Sequence, residues 1–291
     1  MRIGLVGNGY WARVTHAAGL RAQPAVTLAG VWGRDHAKSL PLADEFGITA
    51  YRDFGELLDD VAAVAFSVPP QVQAELALRA ARRGRHLLLE KPIAVSQRAA
   101  DELAGAVAEA GVASLVFFTS RFDPARRAWL AERAAQSGWD GASGLWLGAA
   151  FAAGSPFDTP WRHAKGGLWD VGPHALSLLV GALGQVTDIT ARAGRRDLVQ
   201  LLTGHASGAR ASYALSIDTP PAAARTGLLI WGSPGSYELP GDPADPAGCL
   251  ASAAGELAAL AANPAAGHPC DVHFGREVVA LLAEAERQLA D

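Results

Sequence analysis

The chain begins with the segment RIGLVGNGYWA, residues 2–12, in which a short apolar run ends in glycine and leads into a helical stretch. This order predicts a strand over residues 2–7, a tight turn, and a helix from Trp11 to about Arg21. Because an open α/β sheet binds ligands at the turns that follow its strands, this first turn is a candidate binding site.

The glycines of this turn fit the pattern G-x-G-x-x-A at Gly7, Gly9 and Ala12. Gly7 permits a tight turn, Gly9 lets a pyrophosphate approach the backbone, and Ala12 lets the helix pack closely on the strand. Glycines that serve only packing are the alternative, but the position at a first strand-to-helix turn favours dinucleotide binding. Asn8, Tyr10 and Trp11 complete the candidate loop.

Apolar runs and helical stretches continue to alternate as far as residue 118. Strands are predicted over 26–32, 61–68, 86–89 and 114–118, and helices over 35–46, 71–83 and 96–110. Such alternation is typical of a doubly wound parallel sheet. Ser67 and Pro69, at the end of the 61–68 run, join the candidate cofactor-binding residues.

Beyond Arg121 the pattern changes. After a helix over 124–136, the run Ala211–Asp218 alternates apolar and polar residues, which indicates an antiparallel sheet with one apolar face. We therefore predict a dinucleotide-binding domain over 1–118 and a second α/β domain over 119–291 with a mostly antiparallel open sheet. A terminal helix, about 272–289, is expected to pack back on the body.

Composition excludes several classes of protein. The chain has 291 residues, half of them hydrophobic, and 25 Lys and Arg against 29 Asp and Glu, so global disorder and non-specific nucleic-acid binding are disfavoured. No apolar run reaches the length of a membrane span, and the two cysteines, Cys249 and Cys270, cannot build a disulfide scaffold. A strand at Arg2 leaves no room for a signal peptide, so we expect a cytoplasmic protein.

The end of the second strand bears on the choice of cofactor. An Asp or Glu there holds the ribose 2′-hydroxyl of NAD, but this chain has Gly33 followed by Arg34. Gly33 removes a carboxylate that would repel a 2′-phosphate, and Arg34 offers a guanidinium to bind it, which favours NADP(H) over NAD(H). In the alternative, Arg34 is only a solvated charge and Asp35 supplies the acid one position late.

Two further stretches carry candidate chemistry. Glu90-Lys91-Pro92 follows a strand end, and Asp170 and His174 are spaced i, i+4 after the pair Gly166-Gly167. On one helix start this spacing would put the carboxylate and imidazole on the same face. Taken singly, Lys91 fits a surface charge and the Asp–His pair a structural contact equally well. No His, Cys and carboxylate cluster has metal-ligand spacing.

With the glycine loop, these stretches resemble the Gfo/Idh/MocA oxidoreductase family, whose members join a Rossmann domain to an α/β domain with a mostly antiparallel sheet. The likeness runs nearly end to end. It implies that Lys91, Asp170 and His174 are catalytic, that Glu90 and Lys91 adjoin the cofactor, and that Trp161 and Arg162, with Lys91 and His174, adjoin the substrate. A neutral imidazole can take a hydroxyl proton while a lysine ammonium stabilises the oxyanion.

The sequence departs from the family pattern at Ser177, where many relatives have an aspartate, and in a second domain that is shorter than usual. We predict an NADP(H)-dependent oxidoreductase for a C–O centre of a sugar, polyol or related small carbonyl compound. The alternatives are reduction of an imine or unsaturated carbonyl, and a non-catalytic NADP-binding regulator. An open sheet needs cover, so a homodimer or homotetramer through the second domain is expected.

Overall fold

The computed structural model describes residues 1–243 and 245–290, which form two compact units. Residues 1–122 with 245–279 form the first unit, and residues 123–243 with 280–290 form the second. This division differs from the predicted boundary at 118 because the chain returns to the first unit near its end. Each unit is described by itself below.

The first unit contains a six-stranded parallel sheet in the order β3-β2-β1-β4-β5-β6. Its strands are β1 (Arg2–Val6), β2 (Thr27–Trp32), β3 (Thr49–Tyr51), β4 (Ala63–Phe66), β5 (His86–Glu90) and β6 (Ser114–Phe117). β4 is buried along its whole length, as expected of a strand covered on both faces. The predicted doubly wound sheet is thereby confirmed, and β3 is a short strand that the apolar pattern did not indicate.

Helices connect these strands. A π-helical turn (Ala12–Ala17) leads into α1 (Ala18–Ala22), followed by α2 (His36–Phe46), α3 (Phe54–Asp60), α4 (Pro70–Arg82) and α5 (Gln97–Ala110). Side-chain oxygens of Asp35, Asp53 and Ser96 accept backbone N–H groups at the starts of α2, α3 and α5. These caps satisfy donors that a helix start otherwise leaves without partners.

The second unit contains another six-stranded sheet, in the order β12-β11-β7-β10-β9-β8. Its strands are β7 (Trp139–Leu147), β8 (Val186–Ala193), β9 (Val199–His205), β10 (Arg210–Ser216), β11 (Arg225–Gly232) and β12 (Gly235–Glu238). The β7–β10 pair is parallel and the other pairs are antiparallel. The expectation of a mostly antiparallel second sheet is confirmed.

One face of this second sheet is buried. Tyr213 and Leu215 on β10 are almost fully buried, whereas Ser212 and Ala214 between them are partly exposed. The helices of this unit are α6 (Pro124–Ala134), α7 (Pro160–Asp170) and α8 (Gly172–Leu183). α8 is buried over most of its length, since it is apolar on almost every side.

The last two helices are α9 (Pro246–Ala261) and α10 (Val272–Ala290). α9 packs on α1 so closely that a Cβ atom on Gly19 would lie 2.5 Å from the Ala247 carbonyl oxygen. α10 begins in the first unit, where Gly275 packs against Ile93. It ends in the second unit, where Glu286 accepts hydrogen bonds from Lys165 and Trp169.

Candidate active site

The turn after β1 has the geometry that its glycines predict. Gly7 has φ 124°, and a Cβ atom there would lie 2.2 Å from the carbonyl oxygen of Ser67, so only glycine fits. Gly9 is exposed, and a Cβ atom on it would meet nothing within 4 Å. The open space beside Gly9 lies at the start of the first helix, where the phosphates of a dinucleotide fit.

The side chain of Asn8 fills the space beside the end of β2. Its Nδ2 atom donates hydrogen bonds to the Asp35 carbonyl oxygen and to Ser39 Oγ, both at 3.0 Å. A Cβ atom on Gly33 would lie 2.4 Å from that Nδ2 atom. Gly33 is therefore required by Asn8, and a carboxylate at position 33 would need the Asn8 side chain to move.

The next two residues differ in their contacts: Arg34 is an exposed cation, and Asp35 is an acid that caps a helix. Arg34 is exposed and has no ion-pair partner among the described residues. Asp35 Oδ1 accepts the backbone N–H of Ala37 at 3.1 Å and caps α2, and its other oxygen lies 3.8 Å from Lys38 Nζ. Arg34 is thus an exposed cation without an ion-pair partner among the described residues, whereas one oxygen of Asp35 is used to cap α2.

The other residues of the first unit that are predicted to bind the cofactor lie on neighbouring turns. Tyr10 is 52% exposed beside Gly9. Pro69 is exposed at the residue before α4, and Ser67 hydrogen-bonds through its backbone N–H to Val6. The structure thus brings Ser67 against Gly7, and Tyr10 and Pro69 lie at the surface.

The buried side-chain amide of Gln73 hydrogen-bonds to the backbone of the Glu90–Lys91 turn. Gln73, fully buried on α4, donates from Nε2 to the Glu90 carbonyl oxygen at 2.7 Å and accepts the Glu90 backbone N–H at 2.8 Å. The same Nε2 lies within 3.3 Å of the Pro92 carbonyl oxygen. Gln73 therefore fixes the backbone on both sides of Lys91.

The Glu90 side chain is also committed. Its Oε1 atom accepts hydrogen bonds from Trp11 Nε1 at 2.8 Å and His16 Nε2 at 2.9 Å, and its Oε2 atom accepts the Lys91 backbone N–H at 3.2 Å. The sequence predicts that Glu90 and Trp11 bind the cofactor. The structure shows that they bind each other.

In the second unit, Asp170 and His174 lie on two helices and not on one. Asp170 is the last residue of α7, and His174 lies in the first turn of α8, with Val171 at the junction. The prediction that the i, i+4 spacing places both on one helix face is wrong. Its physical reason is Pro173 in the first turn of α8, which has no backbone N–H to continue the hydrogen bonding of α7.

Asp170 is buried and paired with Arg162. Arg162 Nε donates to Asp170 Oδ2 at 2.8 Å, and the guanidinium carbon lies 4.7 Å from the centre of the Trp161 ring and 5.3 Å from that of Phe157. Hydrogen bonds from Arg162 to Phe157 and Thr159 complete the contact. Arg162 thus neutralises the Asp170 carboxylate, and the cation–π contacts hold its guanidinium plane.

His174 is 8% exposed and stacks on Trp146 of β7, with ring centres 4.9 Å apart and 16° between the planes. Ser177, the position that departs from the family pattern, donates its hydroxyl to the His174 carbonyl oxygen at 2.8 Å. Such an i−3 hydrogen bond is local to the helix backbone. The imidazole is therefore oriented by an aromatic stack.

A carboxylate from the loop between β8 and β9 supports this region. Asp197 accepts the backbone N–H groups of Gly167 and Ile217, both at 2.9 Å, and that of Asp218 at 3.1 Å. It also accepts the Ser216 hydroxyl at 2.5 Å. Asp197 thereby ties the kink of α7 to the end of β10.

Several of these supporting residues were not predicted from the sequence. His16 and Gln73 are polar side chains on buried helix faces, a signal that could have been noticed. Trp146 and Asp197 carry no comparable signal, since a tryptophan in a strand and an aspartate in a charged loop are ordinary. The three candidate catalytic residues fall in two units, with Lys91 in the first and Asp170 and His174 in the second.

Two negative findings apply to the described part of the chain. Within residues 1–243 and 245–290, no group of three or more His, Cys, Asp and Glu side chains is arranged to hold a metal ion. Across the same ranges, no helix is both long enough and apolar enough to cross a bilayer.

A parallel sheet with a glycine turn shaped for phosphates is typical of a dinucleotide-binding domain. Residues 1–118 match a family model described as an oxidoreductase family with an NAD-binding Rossmann fold. Residues 1–118 thus match the NAD-binding domain of the Gfo/Idh/MocA oxidoreductase family, the family that the sequence motifs resemble.

Curated relatives are dehydrogenases and reductases. The chain is 35% identical over 141 residues to galactose 1-dehydrogenase of Pseudomonas fluorescens, covering 47% of this chain and 44% of that protein. It is 33% identical over 215 residues to D-xylose 1-dehydrogenase (NADP(+)) 2 of Haloferax volcanii, covering 66% and 62%. The matches therefore span less than two thirds of these relatives.

The fold extends to the whole chain. A solved UDP-N-acetylglucosamine 3-dehydrogenase from Acidithiobacillus ferrooxidans matches with a TM-score of 0.83 at 21% identity, covering 99% of this chain and 97% of that one. At this identity the likeness establishes the architecture of both units and nothing of the substrate.

Proposed function

We propose that this protein is an NADP(H)-dependent oxidoreductase that acts on a C–O centre of a sugar, polyol or related small carbonyl compound. The observation that carries the proposal is the combination of the phosphate-shaped turn at Gly7–Gly9 with the lysine, aspartate and histidine of the family pattern. When bound, NADPH supplies the hydride or, in its oxidised form, accepts it.

The preference for NADP(H) is supported by how the side chains at the end of β2 are used. One oxygen of Asp35, the late acid that would favour NAD, caps α2, and a side chain at position 33 would have to displace that of Asn8. Arg34 is exposed and has no ion-pair partner among the described residues. A guanidinium there can bind a 2′-phosphate in a two-point contact.

The chain's own residues divide the proton chemistry between them. In the proposed mechanism His174 takes the proton of a substrate hydroxyl in oxidation and returns it in reduction. Lys91, in the dinucleotide-binding unit, supplies an ammonium that stabilises negative charge on a substrate oxygen. Asp170 keeps Arg162 in place, and the stack on Trp146 holds the imidazole plane of His174.

The substrate class is supported by the names of the relatives. Galactose 1-dehydrogenase and D-xylose 1-dehydrogenase (NADP(+)) 2 both act on sugars, and the second uses NADP(+). Aromatic rings near the candidate site suit a sugar as well, since Trp161 is partly exposed beside Arg162.

Lys91→Met and His174→Asn test the proposed roles. We expect each to lower turnover by about a hundredfold or more, because each removes a group that acts in the transition state. NADPH binding, measured by fluorescence titration, should stay within about threefold of wild type for His174→Asn, which lies outside the dinucleotide-binding unit.

Two matched controls come from the same chain. Lys165→Met removes an ammonium that is paired with Glu286, and His163→Asn removes an exposed imidazole that is paired with Asp158. Both should keep most of the activity. If wild type binds NADPH but turns over no sugar, ketone or imine, the protein is a non-catalytic regulator; turnover of an imine alone would replace the proposed substrate class.

A further inference from the structure

One carboxylate joins three parts of the dinucleotide-binding unit. Glu90 accepts hydrogen bonds from Trp11, which ends the glycine loop, from His16, which lies in the π-helical turn, and from the backbone of Lys91. Trp11 and His16 donate to the same oxygen, Oε1, at 2.8 and 2.9 Å. Neither donor is needed to hold the backbone of Glu90, which Gln73 already binds at both its N–H and its carbonyl.

The buried state of His16 shows which way its hydrogen bond runs. The side chain is fully buried, and its Nδ1 atom has no hydrogen-bond partner among the described residues. A carboxylate oxygen only accepts, so the proton of this hydrogen bond lies on Nε2 of His16. His16 is therefore a donor to Glu90, and the edge of its ring packs on Phe117.

We propose that Trp11 and His16 are positioning residues that act through Glu90, and that this shared carboxylate couples the dinucleotide-binding loop to the Lys91 turn. The side-chain oxygens of Glu90 accept hydrogen bonds from Trp11, His16 and the Lys91 backbone. Glu90 therefore connects the dinucleotide-binding loop with the Lys91 turn. A dinucleotide that orders residues 7–12 then also holds the Glu90 carboxylate to which the Lys91 backbone N–H donates. The inference rests on the proposed function only for the use that Lys91 makes of this coupling.

The proposed coupling strengthens dinucleotide binding, and this effect can be measured. A loop with two glycines loses conformational freedom when it binds phosphates, and a loop already tethered to a rigid strand end loses less. Removing the Trp11 or the His16 donor therefore weakens dinucleotide binding even though the phosphate-binding N–H groups are unchanged.

The test is a double-mutant cycle on NADPH affinity, which needs no substrate. Trp11→Phe keeps the aromatic bulk and loses the N–H donor; His16→Leu keeps similar bulk and loses the imidazole. We expect each to raise the Kd for NADPH about fivefold, and the double variant to be no weaker than about twice the weaker single variant, because both act through one oxygen. His16→Gln can still donate to Glu90 and should stay within about twofold of wild type.

Two results would overturn the proposal. A structural role alone would lower the melting temperature and leave the Kd of the folded variants within about twofold of wild type. Independent contributions would multiply in the double variant. Should His16→Leu fail to fold, Trp11→Phe alone decides, since Trp11 is partly exposed and its unchanged Kd would contradict the coupling.

Hydrogen exchange at the Lys91 amide tests the link directly. ADP carries two phosphates for the glycine loop and has no nicotinamide. In wild type, ADP should slow exchange in the segment 90–93 as well as in 7–12, and Trp11→Phe should abolish the effect on 90–93 alone. No slowing at 90–93 in wild type, or the same slowing in the variant, would refute the coupling. Neither readout depends on turnover, so the proposed function can fail without affecting this result.

Discussion

Arg34 is the residue that the proposed cofactor preference depends on most. Its neighbours explain why: Gly33 has no room for a side chain, and the Asp35 carboxylate is bound to the start of α2. In the proposed binding mode the 2′-phosphate of the ribose meets the Arg34 guanidinium at this turn.

Arg34→Ser should therefore weaken NADPH binding selectively. We expect the Kd for NADPH to rise about tenfold or more, since charge-assisted hydrogen bonds to the phosphate are lost, and the Kd for NADH to stay within about twofold. Fluorescence titration of both cofactors measures this. Arg98→Ser on α5 removes the same charge from an exposed ion pair with Glu102 and is the matched control. An equal effect on both cofactors would show that Arg34 is only a surface charge.

Sequence motifs identify the candidate catalytic residues, but the contacts that hold these residues in place could not be predicted from the sequence. Lys91, Asp170 and His174 stand in recognisable motifs. Their supports come from distant positions: Gln73 reaches Glu90, Trp146 stacks on His174, and Asp197 binds Gly167. Such partners are set by packing, which leaves no fixed spacing along the chain.

At the scale of elements, the strands and helices of the first unit follow from apolar runs and capping residues. The helix α9 did not, because it is rich in alanine and has little contrast between an apolar and a polar face. Its small side chains serve close packing on α1, which explains why the chain returns to the first unit and why Gly19 faces Ala247 and Leu250.

Gly19→Ala should destabilise the protein through this helix contact. The added Cβ atom would lie 2.5 Å from the Ala247 carbonyl oxygen and 2.9 Å from Leu250 Cβ, so α9 must shift. We expect a loss of about 1–3 kcal/mol in the free energy of unfolding. Gly105→Ala, on α5 with nothing within 4 Å of the new atom, should instead gain about 0.5–1 kcal/mol. Urea unfolding compares the two, and equal stability of both variants would argue against the packing argument.

At the scale of the whole molecule, the open face of the second sheet is the surface that a second copy of the chain would cover. Leu202 on β9 is 57% exposed and Trp231 on β11 is 38% exposed. Between these strands, Ser212 and Ser143 pair in register and contact each other through their hydroxyls. Small residues flanked by exposed apolar ones suit a flat contact with an identical surface, so we propose a homodimer or homotetramer through this face.

Leu202→Glu should disrupt that assembly, because it buries a charge in the contact. Sedimentation at micromolar concentration should give a dimer or tetramer for wild type and a smaller species for the variant. Leu40→Glu, at a 43% exposed position on α2, is the control and should leave the assembly intact. A monomeric wild-type protein, or an assembly that tolerates Leu202→Glu, would rule this interface out.

The central claim is hydride transfer between NADP and the carbon of a C–O centre. The most direct measurement gives the wild-type protein NADP⁺ and sugars or polyols that carry deuterium on the carbon bearing the reacting hydroxyl. We expect deuterium from at least one substrate to appear on the nicotinamide ring of the NADPH formed. The Lys91→Met variant should abolish this transfer. Binding of NADP⁺ without transfer from any substrate, or release of the label to water, would contradict it.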